Sequence, residues 1–406
     1  MNVLALNAGS STLKFQLWRM EGNESAEGAF RSLARGVVDR IGTRATIEFA
    51  AEKGEPYSTQ AAVADHAEAA RIVLDWVRSL DLLGGEVLGA VGHRVVHGGD
   101  RFVEATPIDE EVVRAIEEVS SLAPLHNGPA LAAIREARAF LGDRVPMVAV
   151  FDTAFHSSLP DRARRYAIPD DLALKHGVRR YGFHGIAHRY MLERYCAATS
   201  RPPRAVKLVT LQLGNGCSAA AVAEGRSVDT SMGFTPLEGL VMGTRCGDID
   251  PSVVGFLARR AGVRVEEVEG WLNSRSGLLG VSGRSKDMRE LLDAEREGDE
   301  RAALAVDMFC YRVKKYVGAY FAALGGAEAV VFGGGIGENA PAVRARVCSD
   351  MEWCGVALDR SRNESAAGVE AVISADHSRT KVYVMLVDEE AVIARDTARC
   401  VGTAPR

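Results

Sequence analysis

The chain has 406 residues, 47% hydrophobic and 25% charged, with a net charge of −5. That length exceeds the roughly 250–300 residues at which one core stops growing, so two domains are expected. The absence of a basic tract argues against a nucleic-acid partner, and the lack of a leader pattern or of about 18 uninterrupted apolar residues argues against a membrane protein and for the cytoplasm.

The first feature in chain order is LNAGSSTLKFQL, residues 6–17. A small polar turn, Asn7 to Thr12, separates the apolar run Val3 to Leu6 from a second run holding Phe15, Leu17 and Trp18. Locally this reads as a β-hairpin. The same turn also reads as an anion site, with exposed backbone N–H groups, the hydroxyls of Ser10, Ser11 and Thr12, and Lys14. The stretch alone leaves both readings open.

Further along, DEEVVRAIEEV (109–119) and AALAVDMFCYRVKKYVGAYFAAL (302–324) carry apolar residues at helical spacing. VPMVAVFDTAF (145–155), LVTLQLGNG (208–216), AVVFGGGIGEN (329–339) and VYVMLVDEE (382–390) read as strands that stop in Gly or acidic turns. Strands alternating with helices indicate an α/β protein. No Pro- or Ser-rich linker intervenes, so the two domains are expected to pack closely and share a cleft. Leu213-Gly-Asn-Gly-Cys-Ser218 echoes Leu6-Asn-Ala-Gly-Ser-Ser11, which predicts a duplicated fold with one phosphate-facing hairpin in each half.

Several chemistries are absent. There is no G-x-x-x-x-G-K-[ST], no H-E-x-x-H and no G-x-S-x-G. Gly335-Ile-Gly337-Glu-Asn-Ala340 fits only the weak form of the dinucleotide fingerprint. Seven cysteines without a C-x-x-C pair suit reduced core thiols and supply no zinc site. What remains is a surplus of arginines, histidines and Gly-rich turns in HRVVHGG (93–99), APLHNGP (123–129), FDTAFH (151–156), RRYGFHGIAH (179–188) and DTSMGFTPLEGLVMGTRCGDIDP (229–251). The last is a long loop with no regular pattern. A site rich in cations and poor in nucleophiles suits phosphoryl transfer, which asks for positioning and charge neutralisation.

With these motifs in order from residue 6 to 397, together with SGLLGVSG, DMR, GGIGEN and DEE…IARDT, the chain closely resembles the acetate and propionate kinase family. The resemblance implies the duplicated actin-like (ribonuclease H-like) two-domain α/β fold with an interdomain nucleotide cleft. Domain I would be 1–152 plus 388–406 and domain II 153–387. The first hairpin and LQLGNGCS would be the paired phosphate hairpins. It further implies a homodimer, Mg²⁺ with Mn²⁺ as a substitute, and reversible transfer of the ATP γ-phosphoryl group to acetate, giving acetyl phosphate and ADP. No membrane partner is implied.

Carried over by motif, Arg94 and Arg245 would neutralise the repulsion between acetate and ATP. His184 would stabilise the phosphoryl in flight, and His126 would lie beside the carboxylate. Asp152 would orient either Arg94 or the magnesium shell, and Asn7 and Glu389 would belong to the Mg²⁺ site. Glu389 also suits a helix N-terminus after an Asp388 cap. Ser10, Thr12, Lys14, Gln212, Asn215 and Gly216 would face the phosphates; Asp287, Arg289, Gly335, Ile336, Gly337 and Asn339 would surround the adenosine. Val96, Leu125, Phe183 and Pro236 would line a small apolar pocket for the methyl group.

The chain departs from the family pattern at Gln212, where histidine is usual; at Gly185-Ile186-Ala187-His188, for G-T-S-H; at Gly128, where proline is usual; and at Leu386-Val387, for Pro-Thr. Three alternatives stay open: a kinase of the same fold for propionate or butyrate, a non-enzymatic actin-like ATP-binding module, and a dinucleotide oxidoreductase built around GIGENA.

Overall fold

The computed structural model describes residues 1–20, 30–80, 88–120 and 124–402; the side chains of residues 124–126 lie outside the description. The chain divides into two compact units, Met1–Ala154 with Asp388–Arg406, and Phe155–Val387. No helix among the described residues is long and apolar enough to cross a membrane.

The first unit is built on a sheet of order β5-β4-β3-β2-β1-β6-β8-β7. Strands β1 (Asn2–Ala8) and β2 (Thr12–Met20) form the hairpin foreseen in the sequence, closed where Gly9 N donates to Thr12 O at 2.8 Å. The antiparallel run continues through β3 (Phe30–Asp39), β4 (Arg44–Ala51) and β5 (Tyr57–Ala62). On the other side of β1, β6 (Leu88–Val95) and β8 (Met147–Phe151) pair in parallel, and the short β7 (Thr106–Pro107) closes the edge.

Side-chain alternation decides what this sheet presents. Leu4, Leu6, Ala8, Val91 and Val95 share one core with helices His66–Ser79 and Pro124–Leu141. Leu4, Leu6, Leu13, Phe15 and Leu17 are at most 1% exposed, and burying each is worth roughly 1.5–3 kcal/mol. A one-residue slip would forfeit that burial, so the register is fixed. Asn7 and Arg94 are out of phase with this set and fall on the other face. That face is covered by the C-terminal helix Glu389–Gly402, which packs against β1, β6 and β8. The helix comes close because Gly92 has no side chain: a Cβ there would lie 2.2 Å from Thr397 Oγ1.

The second unit repeats the plan. β9 (Lys207–Leu213), β10 (Cys217–Ala223) and β11 (Arg226–Thr230) are antiparallel neighbours. β12 (Ala329–Gly333) and β14 (Lys381–Val384) lie parallel beyond β9, and β13 (Ala371–Val372) ends the order β11-β10-β9-β12-β14-β13. The series β3-β2-β1-β6-β8 and β11-β10-β9-β12-β14 match strand for strand in direction and neighbour. Leu6–Ser11 and Leu213–Ser218 occupy the same turn in each, so the echo in the sequence is a structural duplication.

Leu208, Ala220 and Val222 form a core with Met191, Leu192 and Tyr195 of helix Gly185–Thr199. The same face of the two strands therefore carries Thr210, Gln212 and Ser218 toward that helix. The predicted helix at 302–324 is Glu300–Leu324, capped by Asp299 and stopped by Gly325 in the left-handed region.

Candidate functional site

In the first unit the polar motifs converge on Arg94. Its Nε and Nη2 donate to Asp152 Oδ2 at 3.2 and 2.6 Å, and its Nη1 donates to Asn7 Oδ1 at 3.0 Å. Asn7 Nδ2 in turn donates to Glu389 Oε2 and Glu390 Oε1, both at 2.8 Å. Asp152 thus makes the contact that one of its two expected roles, orienting Arg94, requires. Burial alone would lower the Arg94 pKa, but Asp152 and then Glu389 outweigh it, so the guanidinium stays charged. Asp388 caps the C-terminal helix by accepting from Ala391 N at 2.8 Å, so Glu389 and Glu390 stand in its first turn, where carboxylates are favoured.

The strap that follows Arg94 is held by the neighbouring motifs. His97 N donates to Asn127 Oδ1, and Asn127 Nδ2 returns a bond to His97 O, both at 3.0 Å. Gly98 N donates to Thr153 Oγ1 at 3.0 Å. Asn127 and Thr153, read in the sequence only as parts of motifs, thus serve as scaffolding. Val96 is buried on the same strap. The side chains of Leu125 and His126 lie outside the described residues. Ser10 and Lys14 are exposed and Thr12 is half-buried on the first hairpin.

Glu390 escaped the sequence reading. Burial raises its pKa, and the Glu389 charge raises it further, while Lys14 and the Asn7 bond offset part of the shift. Among the described residues no group of three or more His, Cys, Asp or Glu could hold a metal. Two carboxylates joined by one amide nevertheless form a hard oxygen set, the kind that binds Mg²⁺ shared with phosphate oxygens rather than in an all-protein cage. Asn7 Oδ1 is already engaged by Arg94, so this residue chiefly aligns the carboxylates.

In the second unit the focus is Gly216, in the turn between β9 and β10. A Cβ there would lie 3.3 Å from His184 Cε1, 3.4 Å from His184 Nε2 and 3.7 Å from Arg245 Nη1. The glycine thus leaves open a spot that a histidine and an arginine both approach. His184 has φ +57°, an unusual conformation for a residue with a side chain, at the head of helix Gly185–Thr199. The turn before it is built around Gly182 (φ +75°), whose Cβ would strike His156 Cγ at 2.7 Å. His156 Nε2 lies 3.0 Å from Phe183 O, which anchors the backbone beside His184.

Arg245 sits on the long loop 231–251, which has no regular structure and is pinned at many points. Arg180 donates to Ser231 O (3.2 Å), Met232 O (3.1 Å) and Glu238 Oε1 (2.6 Å). Gly243 N donates to Asn215 O at 3.0 Å, tying the loop to the hairpin. Leu278 N and Ser276 N, from the SGLLGVSG motif, donate to Met242 O and Thr244 O at 2.9 Å. Arg245 Nη1 itself donates to Pro236 O at 3.0 Å, and burial lowers its pKa. Phe183 is buried beside this cluster in the chain, and Gln212, at the end of β9, has a buried Oε1 with no hydrogen-bond partner.

The residues expected around adenosine gather elsewhere in this unit. Arg289 and Asn339 both line a cavity of about 800 Å³, with Arg296, Glu352 and Arg360 on its wall. Asp287 caps helix Met288–Arg296 and holds the Arg289 guanidinium at 2.7 Å. Gly335, Ile336 and Gly337 lie in the short helix Gly334–Asn339, where Asn339 Nδ2 donates to Gly335 O. Burial raises the thiol pKa of Cys217, Cys310 and Cys348 to about 12, which leaves them inert.

Comparison with known proteins finds relatives over the full length of the chain. The profile of the Acetokinase family matches residues 2–395. An acetate kinase of Solibacter usitatus is 48% identical, over 100% of this chain and 99% of its own. The crystal structure of Porphyromonas gingivalis acetate kinase superposes with a TM-score of 0.88 at 42% identity, covering 98% of this chain and 99% of that one. A propionate kinase from Francisella tularensis gives 0.89 at 36% identity, with the same coverage.

Proposed function

This chain belongs to the acetokinase family, and from that premise we propose that it transfers the γ-phosphoryl group of ATP to acetate, reversibly, giving acetyl phosphate and ADP. The observation that carries the reading is Arg94, a guanidinium fixed by Asp152 and Asn7 while remaining charged. Such a group suits an anionic acceptor that must approach a polyanion.

A free carboxyl titrates near 4, so the acceptor is already ionised at neutral pH and no general base is required. One carboxylate oxygen attacks the γ-phosphorus in line; the new O–P bond forms as the bond to the ADP oxygen breaks. Arg94 binds and steers the carboxylate. Arg245 and His184 supply donors to the phosphoryl oxygens where negative charge concentrates. The Asn215–Gly216 turn and the Ser10–Lys14 hairpin bind phosphate, and the cavity at Arg289 and Asn339 takes the adenosine. Phe183, next to His184 in the chain, and Pro236, whose carbonyl accepts from Arg245, supply apolar contact for the methyl group.

Glu389 and Glu390, aligned by Asn7, would hold Mg²⁺, which when bound would neutralise phosphate charge. A homodimer is supported by helix Glu300–Leu324, whose Leu304, Met308 and Tyr311 form an exposed apolar stripe at helical spacing. Seven scattered cysteines without a C-x-x-C pair favour a reducing, cytoplasmic setting. The test is direct: incubate the protein with ATP, Mg²⁺, acetate and hydroxylamine and measure acetohydroxamate. Its formation only with all components supports the proposal, and ATP turnover without acyl phosphate contradicts it.

A further inference from the structure

The face of β9 and β10 turned toward helix Gly185–Thr199 carries a buried chain of polar side chains. His184 Nδ1 lies 2.9 Å from Ser218 Oγ, Ser218 Oγ lies 2.7 Å from His188 Nε2, and His188 Nδ1 lies 2.8 Å from Thr210 Oγ1. His188, Thr210 and Ser218 are each 0% exposed. The strand register produces this chain, because Thr210 and Ser218 share a face and His188 lies one turn after His184 on the helix packed against it.

The polarity of the chain follows from counting protons. Burial holds the His188 pKa well below its ordinary value, so its ring is neutral and bears one N–H. With a hydroxyl at each nitrogen, it must donate to one and accept from the other. The contacts of Thr210 Oγ1, 2.8 Å to His188 Nδ1 and 3.5 Å to Ala220 O, admit two polarities; Ala220 O at 3.5 Å is a poor acceptor, so the hydroxyl proton is better used on His188 Nδ1. In that polarity Thr210 donates to His188 Nδ1 and the proton of His188 stays on Nε2. That N–H donates to Ser218 Oγ, and the hydroxyl proton of Ser218 goes to His184 Nδ1.

We propose that Thr210, His188 and Ser218 are positioning residues that hold His184 in the tautomer protonated at Nε2, aiming an N–H donor at the spot above Gly216. The proposal deepens the phosphotransferase reading and rests on it for the identity of the acceptor there. Nε2 lies on the Gly216 side of the ring, where Arg245 Nη1 also approaches. In the opposite tautomer a lone pair would meet the phosphoryl oxygens, which are themselves acceptors. The relay supplies a donor without charging the imidazole, so it works above the pH at which histidine protonates.

The test is ¹⁵N NMR of the histidine rings in the full-length protein at neutral pH, without nucleotide. His184 and His188 should both show protonation at Nε2. Thr210→Val keeps the shape of the side chain but removes the first donor; His184 should then become a mixture of tautomers. In the same variant kcat for acetate phosphorylation should fall about ten- to hundredfold, the usual cost of losing a group that orients a working residue, with KM for ATP unchanged. Thr210→Ser should restore both the spectrum and the rate. A wild-type His184 protonated at Nδ1, or a Thr210→Val protein with unchanged tautomer and unchanged kcat, overturns the proposal. The spectrum reads the tautomer even if the protein makes no acetyl phosphate, so failure of the relay is distinguishable from failure of the assigned reaction.

Discussion

Asp152 Oδ2 accepts two hydrogen bonds from Arg94, and Asp152 is itself fully buried at the end of β8. A pair of this kind acts as one device. Arg94→Ala is expected to lower kcat/KM for acetate at least about a hundredfold, the usual cost of losing a preorganised charge-stabilising donor. Adding Asp152→Ala should then change little more, since residues that act as a unit are strongly non-additive. Steady-state kinetics on the two single variants and the double variant check this; multiplicative losses would separate the two roles.

Arg245→Ala should bring a comparable loss, about a hundredfold or more in kcat/KM. Alanine loses the Nη1–Pro236 O bond, but the loop should keep its course, because its other anchors at Met242, Gly243 and Arg245 are backbone bonds. Circular dichroism with kinetics separates a lost guanidinium from a collapsed loop.

Gln212 pairs across the strands with Ser218 and ends in a buried oxygen without a partner. Gln212→His should raise kcat modestly, about two- to tenfold, because a charge-assisted donor is roughly twice as strong as a neutral one. The gain should grow as pH falls through the range where the new imidazole protonates. Side-by-side pH–rate profiles with acetate saturating decide it, and coincident profiles would place residue 212 outside the phosphoryl site.

Histidine burial predicts an acid limb in stability. Burial holds the pKa of His93 to about 3 and that of His156 to about 4, against an ordinary value of 6.5. Below about 6.5 the unfolded chain takes up these protons and the folded one does not. Stability therefore falls as pH drops from about 6.5 toward 4, on the order of 1 kcal/mol per pH unit for each histidine. His93→Leu should flatten the decline in Tm over that window; an equally steep decline would assign it to other groups.

Burial and the neighbouring Glu389 charge raise the cost of ionising Glu390. Glu390→Gln should raise the Tm of the metal-free protein and shrink the further rise on adding Mg²⁺ with ATP. Thermal melts with and without Mg²⁺·ATP read both effects.

Much of this was legible in the sequence because the relevant signals are local. The LNAGSSTLKF turn, its echo at LGNG, and the arginines and histidines of the motifs all lie within short windows. Glu390, Ser218, His188 and Thr210 were not assigned, because their roles depend on register. Nothing within the windows around Thr210 and Ser218 shows that β9 and β10 bring them to one face beneath His188. Arg180 illustrates the opposite lesson: its motif marks it as a site candidate, but the structure spends its guanidinium on loop carbonyls and Glu238. The side chain of His126, a firm candidate by motif, lies outside the described residues.

The most direct test of the central claim is kcat/KM for a series of short carboxylic acids, measured as hydroxamate with ATP and Mg²⁺. Each added methylene is worth roughly 1 kcal/mol or more, favourable where the pocket has room and costly where it overpacks. Acetate should rank first, propionate second and butyrate far behind. Butyrate equal to or better than acetate would contradict the assignment.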